Sequence, residues 1–405
     1  MAGVTTRLLP LLAGLLGIGI CHAELHFQIA PERHPRPDHL PLDRALEKLA
    51  ELRRAGRTEA ATLSFRSGLY SLDAVIGPEL AGEGLSFESA DPESEFPCLS
   101  SGTLVSNWTL EDGMWTTVLA DEPSGLFVGA KRCQRARTPN EGYWRIGKSG
   151  PDRRTSFTWK EDTIPPVRDL AHLDLVFLHD WSISRIPVAS LDPATRTLTT
   201  KYPVGPQAAH YKIDHYEPHP RFFLEGSRDF LDAPGEWHYD QASKTLRYMP
   251  RPGEDPESLR IMAAGRSPAL VLRGTESKPL KNVRFSAISF SYAGWLPPGG
   301  RYAAGQASFH EDGTSHTRTP VPCAVEADFC EDLTFAFCRF GDSTGGGLWI
   351  RRQCHDVRIE SCTFHTLGAN GLMIGEAMER ESVTSGVTGE TGTITGCGER
   401  YFGSV

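Results

Sequence analysis

Acidic side chains in the last third of the chain are the first candidates for chemistry, because two carboxyl groups held close together can serve as acid and base. Asp332 and Asp356 stand 24 residues apart in two similar segments and form the clearest acidic pair. Each begins a predicted strand, however, where an Asp commonly accepts hydrogen bonds from turn amides. Asp342, His365 and Glu376 follow predicted strands and are the candidate catalytic residues; a structural or solvated role is the alternative for each.

A repeat must position these side chains. The segments DLTFAFCRF (332–340) and DVRIESCTF (356–364) are offset by 24 residues, Leu348 and Ile350 recur as Leu372 and Ile374, and NVRFSAISF (282–290) fits the same template. Short strands that meet at bends and recur at this period predict a parallel β-solenoid, that is, a parallel β-helix.

Equivalent positions of such a solenoid stack about 4.8 Å apart. Stacking places Cys338 over Cys362 and Cys397, and it places Phe290, Phe340 and Phe364 in the core. Because a disulfide requires Cβ atoms about 3.5–4.5 Å apart with converging directions, we expect a buried ladder of free thiols, with disulfides as the alternative.

The rest of the chain divides into further regions. An apolar run behind Arg7, ending at Ala23, predicts a signal peptide over residues 1–23 and therefore a secreted, periplasmic or cell-surface protein; a lipidated Cys21 and a hydrophobic first strand are the alternatives. Residues 24–97 hold one amphipathic helix (42–55) and the first solenoid strands. Residues 98–264 contain hairpin-like turns and predict an inserted antiparallel β-sandwich, and residues 265–405 return to the solenoid.

Composition excludes several classes of protein. Gly 40 and Pro 29 in 405 residues argue against a helical bundle, and a formal charge of −9 argues against a nucleic-acid partner. No apolar run is long enough to span a membrane. The sequence contains neither a phosphate-binding loop nor a nucleophile elbow nor a metal-binding helix motif, so we expect no cofactor and no metal.

The chain also resembles exported proteins in which a right-handed parallel β-helix carries an inserted β-sandwich, and it is most similar to glycoside hydrolase family 141. The matching stretches are LFVGAKRCQRARTPNEGYW at 126–144, HDWSISR at 179–185, LDAPGEWHYD at 231–240, WLPPGG at 295–300, QA at 306–307 and LGANGLMIGE at 367–376. The resemblance implies a monomeric enzyme that hydrolyses complex plant or algal polysaccharides, of the fucosidase or xylanase type. It also implies further solenoid turns beyond the equivalent of Val405, so we expect the main acidic pair in those turns and an inactive chain without them.

Glycoside hydrolysis requires two carboxyl groups, about 5–5.5 Å apart for retention and 6.5–9.5 Å for inversion. Solenoid rungs supply spacings of about 4.8 and 9.6 Å. Trp295, Trp349 and Arg351 are the expected contacts with a polysaccharide or oligosaccharide, since sugar rings stack on aromatic faces; packing in the core is the alternative for Trp349. A noncatalytic carbohydrate-binding protein and a polysaccharide lyase remain the alternative functions.

Overall fold

The chain forms a coil of three parallel sheets that carries one large antiparallel insert. The computed structural model describes residues 24–31, 36–160, 164–168, 170–179, 181–206, 208–266, 268–303, 309–311, 318–375 and 393–395. The predicted signal peptide, Glu376 and Cys397 lie outside these residues. None of the described helices is long and apolar enough to cross a membrane.

Five turns of the coil each add one strand to each of three sheets, and the first sheet has one further strand at either end. The first sheet contains Leu25–Ile29, Ala61–Phe65, Leu85–Ser89, Leu280–Ser286, Cys330–Ala336, His355–Glu360 and Thr393–Thr395. The second contains Leu69–Ser71, Cys98–Ser100, Ser289–Ser291, Arg339–Ser343 and Thr363–Leu367, and the third contains Ala74–Ile76, Leu270–Arg273, Cys323–Asp328, Gly346–Ile350 and Leu372–Ile374. The insert leaves the coil after Cys98–Ser100 and returns before Leu270–Arg273.

The register of the coil follows the 24-residue repeat. Leu333 pairs with Val357 in the first sheet, Phe340 pairs with Phe364 in the second, and Leu348 pairs with Leu372 in the third. The predicted stacking of equivalent positions is therefore confirmed for these turns.

The acidic pair Asp332 and Asp356 has a local role. Both residues, and Asn282 one turn earlier, have positive φ angles (54°, 51° and 57°) at a kink in the first sheet. Asn and Asp tolerate this left-handed conformation better than most residues. Asp332 also accepts a hydrogen bond from Arg358 at 2.9 Å. The two residues therefore shape a corner of the coil, and Arg358 neutralises Asp332.

Stacked aromatic rings fill the coil. Ring centroids of Phe285 and Phe335 lie 5.0 Å apart, and those of Phe340 lie 5.2 Å from Phe290 and 5.0 Å from Phe364, all nearly parallel. The predicted phenylalanine ladder is thus confirmed. The seven cysteines among the described residues are free thiols, as predicted, and burial raises the pKa of the Cys338 thiol well above its ordinary value.

Two helices accompany the early turns. The helix Leu42–Arg54 buries Leu42, Ala45 and Leu49 against the core of the coil, which confirms the predicted amphipathic helix. It ends before Gly56, whose φ of 86° suits glycine. A short helix, Pro78–Ala81, follows, and single turns of 3₁₀ helix occur at Ala209–Tyr211, Arg228–Phe230 and Pro298–Gly300.

The insert is largely antiparallel. Six strands pair in a closed ring: Trp144–Ser149, Ser156–Trp159, Thr197–Thr200, Ile183–Asp192, Asp174–Leu178 and Arg221–Glu225. The ring encloses its own apolar core. Arg137–Thr138 lies beside it, and Tyr302–Ala303, from a long coil loop, pairs with Ile183–Asp192. Phe309–Glu311 and Arg318–Pro320 of that loop form a hairpin.

Two smaller sheets complete the insert. One contains Gln134–Arg135, Glu236–Asp240, Thr245–Tyr248, Met114–Val118 and Thr109–Glu111; the other contains Lys131–Arg132, Leu126–Val128, Ile261–Ala263 and Thr103–Leu104. Both predicted hairpin turns form, and Asp192 and Asp240 accept hydrogen bonds from the amides of Ala194 and Ala242, each at 2.9 Å.

The insert packs against the outer face of the second sheet. Phe127 of the insert contacts Tyr292 of the coil with ring centroids 5.4 Å apart, and Cys98 is buried in the same cluster. A hydrogen bond of 2.5 Å joins the Ser124 and Thr344 hydroxyl groups. The insert and the coil therefore share a buried seam.

Candidate active site

The candidate active site lies on the outer face of the second sheet, at the edge of this seam. Strand alternation points Phe340 and Phe364 into the core and leaves the next column of the sheet facing outward. That column runs through Ser71, Ser100, Ser291, Gly341 and His365 in direct register. Four small residues are followed by one imidazole, which has a side-chain exposure of 41%.

Gly341 makes room for His365. A Cβ atom at Gly341 would lie only 2.3 Å from Cε1 of the imidazole and 2.7 Å from its Nδ1. The ring therefore lies flat against the backbone of the preceding turn, a position that any side chain at residue 341 would block. The absence of a side chain at one position thus sets the orientation of a candidate catalytic residue on the next turn.

Asp342 faces this imidazole. Its Oδ1 lies 3.9 Å from Nδ1 of His365, and its side chain is 20% exposed. Asp342 has a φ of 46°, and its carbonyl oxygen accepts a hydrogen bond from the amide of Tyr292. The positive φ turns the carboxyl group away from the regular outward column, and two of the three candidate catalytic residues are thereby brought together.

Burial raises the pKa of the Asp342 carboxyl above its ordinary value, while attraction to His365 acts in the opposite direction. Removal from water disfavours the charged form of an acid. No carboxylate of the described chain contributes to this shift, so the ionisable partner of Asp342 is an imidazole rather than a second acid. The arrangement suits a proton donor that is kept partly out of water.

The groups behind Asp342 are not nucleophiles. Burial raises the pKa of the Cys98 thiol to about 12, and it raises the pKa of Tyr292 to about 12 as well. Arg260 lies close enough to lower the pKa of both groups slightly. These residues form a neutral, buried wall beneath the candidate acid.

The predicted substrate contacts differ in their exposure to solvent. Trp349 does point out of the core of the coil, but it is 2% exposed, and its Nε1 donates a hydrogen bond of 2.8 Å to the carbonyl oxygen of Gly375. Arg351 covers its ring at 4.4 Å. A sugar therefore cannot stack on Trp349, which corrects that prediction.

Arg351 is also enclosed. Its Nη1 lies 2.9 Å from Glu326 and 3.3 Å from Asp328, and all three side chains are less than 10% exposed. The predicted substrate contact is thus a buried counter-ion for two carboxylates, because charges removed from water need partners. Trp295 is partly exposed and packs edge-on against Tyr302 at 5.7 Å, so its role as a substrate contact stays a prediction.

A second charged network, which the sequence did not reveal, lies inside the insert. Arg135 forms ion pairs with Asp174 at 2.8 Å and Glu122 at 3.5 Å, while Arg185 pairs with the nearly buried Glu225 at 2.6 Å. Burial raises the pKa of Asp174 despite these cations. Because these cations and carboxylates pair with one another, we interpret the network as structural.

The described residues provide no group of three or more His, Cys, Asp or Glu side chains arranged to hold a metal ion.

Comparison with solved structures supports the fold. A protein described as "Glycoside hydrolase" superposes with a TM-score of 0.74 and 19% identity, over 87% of this chain and 67% of its own. This chain thus has a glycoside hydrolase-like fold that is mostly β. A structure of XylC with xylose covers 86% of this chain and 63% of its own, with a TM-score of 0.30 and 10% identity. A tailspike of Pseudomonas phage phi297 covers 83% of this chain and 46% of its own, with a TM-score of 0.15 and 8% identity. No family model matches the sequence, and no curated protein matches it.

Proposed function

We propose that this chain is an exported glycoside hydrolase, similar to family 141, whose coil is a right-handed parallel β-helix acting on complex plant or algal polysaccharides. Its substrates would be of the fucosidase or xylanase type. The likeness in fold to a glycoside hydrolase supports the class. The observation that carries the proposal is the Asp342–His365 pair beside the seam between the coil and the insert.

The chemistry assigns a role to each partner. Protonated Asp342 would donate its proton to the glycosidic oxygen as the bond to the anomeric carbon breaks. Water would then add to that carbon and give one proton to the Asp342 carboxylate, which restores the acid. Burial favours the protonated acid before the reaction. His365 lies close enough to stabilise the carboxylate that remains, provided that the imidazole is protonated.

A noncatalytic carbohydrate-binding protein is the second candidate. Either stereochemical route of hydrolysis uses two carboxyl groups, whereas the ionisable partner of Asp342 among the described residues is an imidazole. This observation favours binding without cleavage, and the experiment below separates the two functions.

The test is release of reducing sugar from arabinoxylan, fucoidan and polygalacturonate by the wild-type chain, Asp342→Asn and His365→Ala. The resemblance alone implied an inactive chain, but the Asp342–His365 pair lies within the described residues, and we therefore expect release by the wild type. Asp342→Asn should lose at least a hundredfold of this activity, as typical for loss of a general acid. Asp332→Asn is a matched control, because Asn282 occupies the equivalent kink one turn earlier, and it should retain activity.

Three results would contradict the proposal. Unchanged activity in Asp342→Asn would remove the assigned acid, and an ultraviolet-absorbing unsaturated product would indicate a lyase. Retention of a polysaccharide without release of sugar would indicate the binding protein. Export is tested separately by the mass of the mature protein, which should begin after Ala23.

A further inference from the structure

A shallow hollow lies on the outside of the six-stranded ring, beside the hairpin formed by Asp174–Leu178 and Ile183–Asp192. Its polar wall includes His210, Lys212, Tyr216, Glu217 and Arg221. Trp181 lies at the tip of the hairpin, next to this wall. The hollow is formed by the insert alone and shares no residue with the Asp342–His365 pair.

Two large aromatic rings are exposed here. Trp181 and Tyr216 are each 50% exposed, and their ring centroids lie 5.2 Å apart at an interplanar angle of 66°. Trp181 also contacts His210 at 5.6 Å. Exposed, adjacent aromatic faces are typical of surfaces that bind a ligand with its own flat apolar face.

The rings rest on a rigid support. Tyr211, directly behind Trp181, is 6% exposed and packs edge-on against both Trp181 at 6.2 Å and His179 at 5.4 Å. His179 shares a hydrogen bond of 2.8 Å with the hydroxyl of Ser184. Burial lowers the pKa of His179 to about 3, so this supporting ring is neutral. A platform that is already ordered loses little conformational entropy when it binds.

The charge of the hollow is positive. Among the described residues, neither Lys212 nor Arg221 has a carboxylate within ion-pair distance. The nearby acids are already engaged, since Glu217 pairs with Arg145 at 2.5 Å and Asp214 pairs with Arg153 at 2.5 Å. Arg221 also lies over the ring of Tyr143 at 5.7 Å. Two cations that lack a carboxylate partner among the described residues, in a chain with a formal charge of −9, indicate a ligand that brings negative charge.

We propose that this hollow is a binding site for an acidic saccharide, separate from the candidate active site. Pyranose rings would stack on Trp181 and Tyr216, and a uronate carboxylate or a sulfate ester on the sugar would pair with Lys212 and Arg221. The choice of a saccharide as the ligand rests on the proposed function. In that function the insert would hold an acidic polysaccharide while the coil acts on it.

Affinity electrophoresis tests the site, with polygalacturonate as the carboxylate probe, fucoidan as the sulfate probe and arabinoxylan as the neutral probe. All proteins carry Asp342→Asn, so that cleavage does not shorten the probes. We expect binding of at least one anionic probe, a loss of about tenfold or more in Trp181→Ala, and a similar loss in Lys212→Gln/Arg221→Gln. The two anionic probes distinguish uronate from sulfate recognition.

Phe337→Ala is the matched control, because Phe337 is an exposed aromatic residue (57%) on the coil, and it should bind as tightly as its parent. Binding should also weaken several-fold as salt rises from 0.1 to 1 M, where the screening length shortens from about 10 to 3 Å. Unchanged binding in Trp181→Ala, or equal binding of the neutral probe, would overturn the proposal.

Single-stranded DNA serves as a competitor. If it displaces the bound saccharide, and if its own binding depends on Trp181, Lys212 and Arg221, the hollow is not a sugar site. Failure of this proposal is distinguishable from failure of the proposed function. A wild-type chain that releases sugar although Trp181→Ala binds normally refutes only this site, whereas Trp181-dependent binding without any release refutes only the hydrolase.

Discussion

Replacement of Gly341 by Ala tests the geometry of the candidate active site most directly. The new Cβ would lie 2.3 Å from the imidazole of His365, whereas ordinary contacts begin at 3.4 Å, so the ring must move by about 1.1 Å. The φ of Gly341 lies outside the left-handed region, so the backbone accepts alanine. His365 has a side-chain exposure of 41%, so its ring can move toward solvent.

This movement separates His365 from Asp342. A displacement of about 1 Å in a catalytic arrangement can reduce the rate by about a hundredfold, and we expect a tenfold to hundredfold loss of sugar release in Gly341→Ala. The free energy of unfolding should fall by less than about 1 kcal/mol, because the ring is free to move; a ring held in place would cost about 1–3 kcal/mol through overpacking. Reducing-sugar assays and urea unfolding measure the two effects.

The double variant Gly341→Ala/His365→Ala separates steric effects from chemical ones. Once the imidazole is absent, alanine at residue 341 should cost no further stability and no further activity. Gly84→Ala is the control, because its Cβ would meet its nearest neighbour at 3.5 Å without a positive φ. Full activity in Gly341→Ala, or an equal effect of this substitution with and without His365, would refute the reasoning.

Three further predictions concern stability and are measured by urea unfolding. Phe335→Ala should lower the free energy of unfolding by about 3–5 kcal/mol, because Phe335 is fully buried in the aromatic ladder. Phe337 is exposed, so Phe337→Ala should change this free energy by about 0.5 kcal/mol or less. Similar losses in the two variants would contradict the packing of Phe335. Arg351→Met should lower the free energy of unfolding by about 3–5 kcal/mol, because it leaves the buried Glu326 without a cation and leaves Asp328 only Arg352, at 3.5 Å. A neutral effect would contradict the buried network. Burial lowers the pKa of His179 to about 3 and that of His238 to about 4, from 6.5. Below pH 6.5 the unfolded chain therefore binds more protons than the folded chain, and the free energy of unfolding should fall as the pH drops from 6.5 toward 4. The fall should be less steep in His179→Gln. An unchanged dependence on pH in that variant would refute a lowered pKa for His179.

The coil could be predicted from the sequence because its information is local and repeated. The 24-residue offset relates Phe340 to Phe364, and a parallel stack converts this offset directly into contact. The same offset relates Gly341 to His365, and these two residues pair in the second sheet. The sequence did not reveal that Asp342 adopts a positive φ and turns toward the imidazole, since that conformation depends on the corner between two sheets.

The insert was less predictable because its architecture depends on pairings between distant segments. The strand Arg221–Glu225 closes the ring by pairing with Trp144–Ser149 and with Asp174–Leu178. Alternation and turn residues identify antiparallel strands, but they do not decide whether the ends of a sheet meet. Trp349 illustrates the same limit of sequence patterns for a single residue. Trp349 lies between the buried Leu348 and Ile350, so strand alternation directs it outward. Its burial, however, depends on Arg351 and Gly375, which alternation does not locate.

The seam explains why the candidate acid lies where it does. Ser100 and Ser291 of the outward column are almost fully buried (0% and 5% exposed), whereas His365 of the same column has an exposed side chain (41%). The change falls at Gly341, the position that accommodates the imidazole. Asp342 consequently has a buried wall on one side and an open sheet face on the other. A carboxyl group in this position is shielded enough to retain a proton and open enough to meet a substrate, so the insert shapes the candidate site by covering the turns before it.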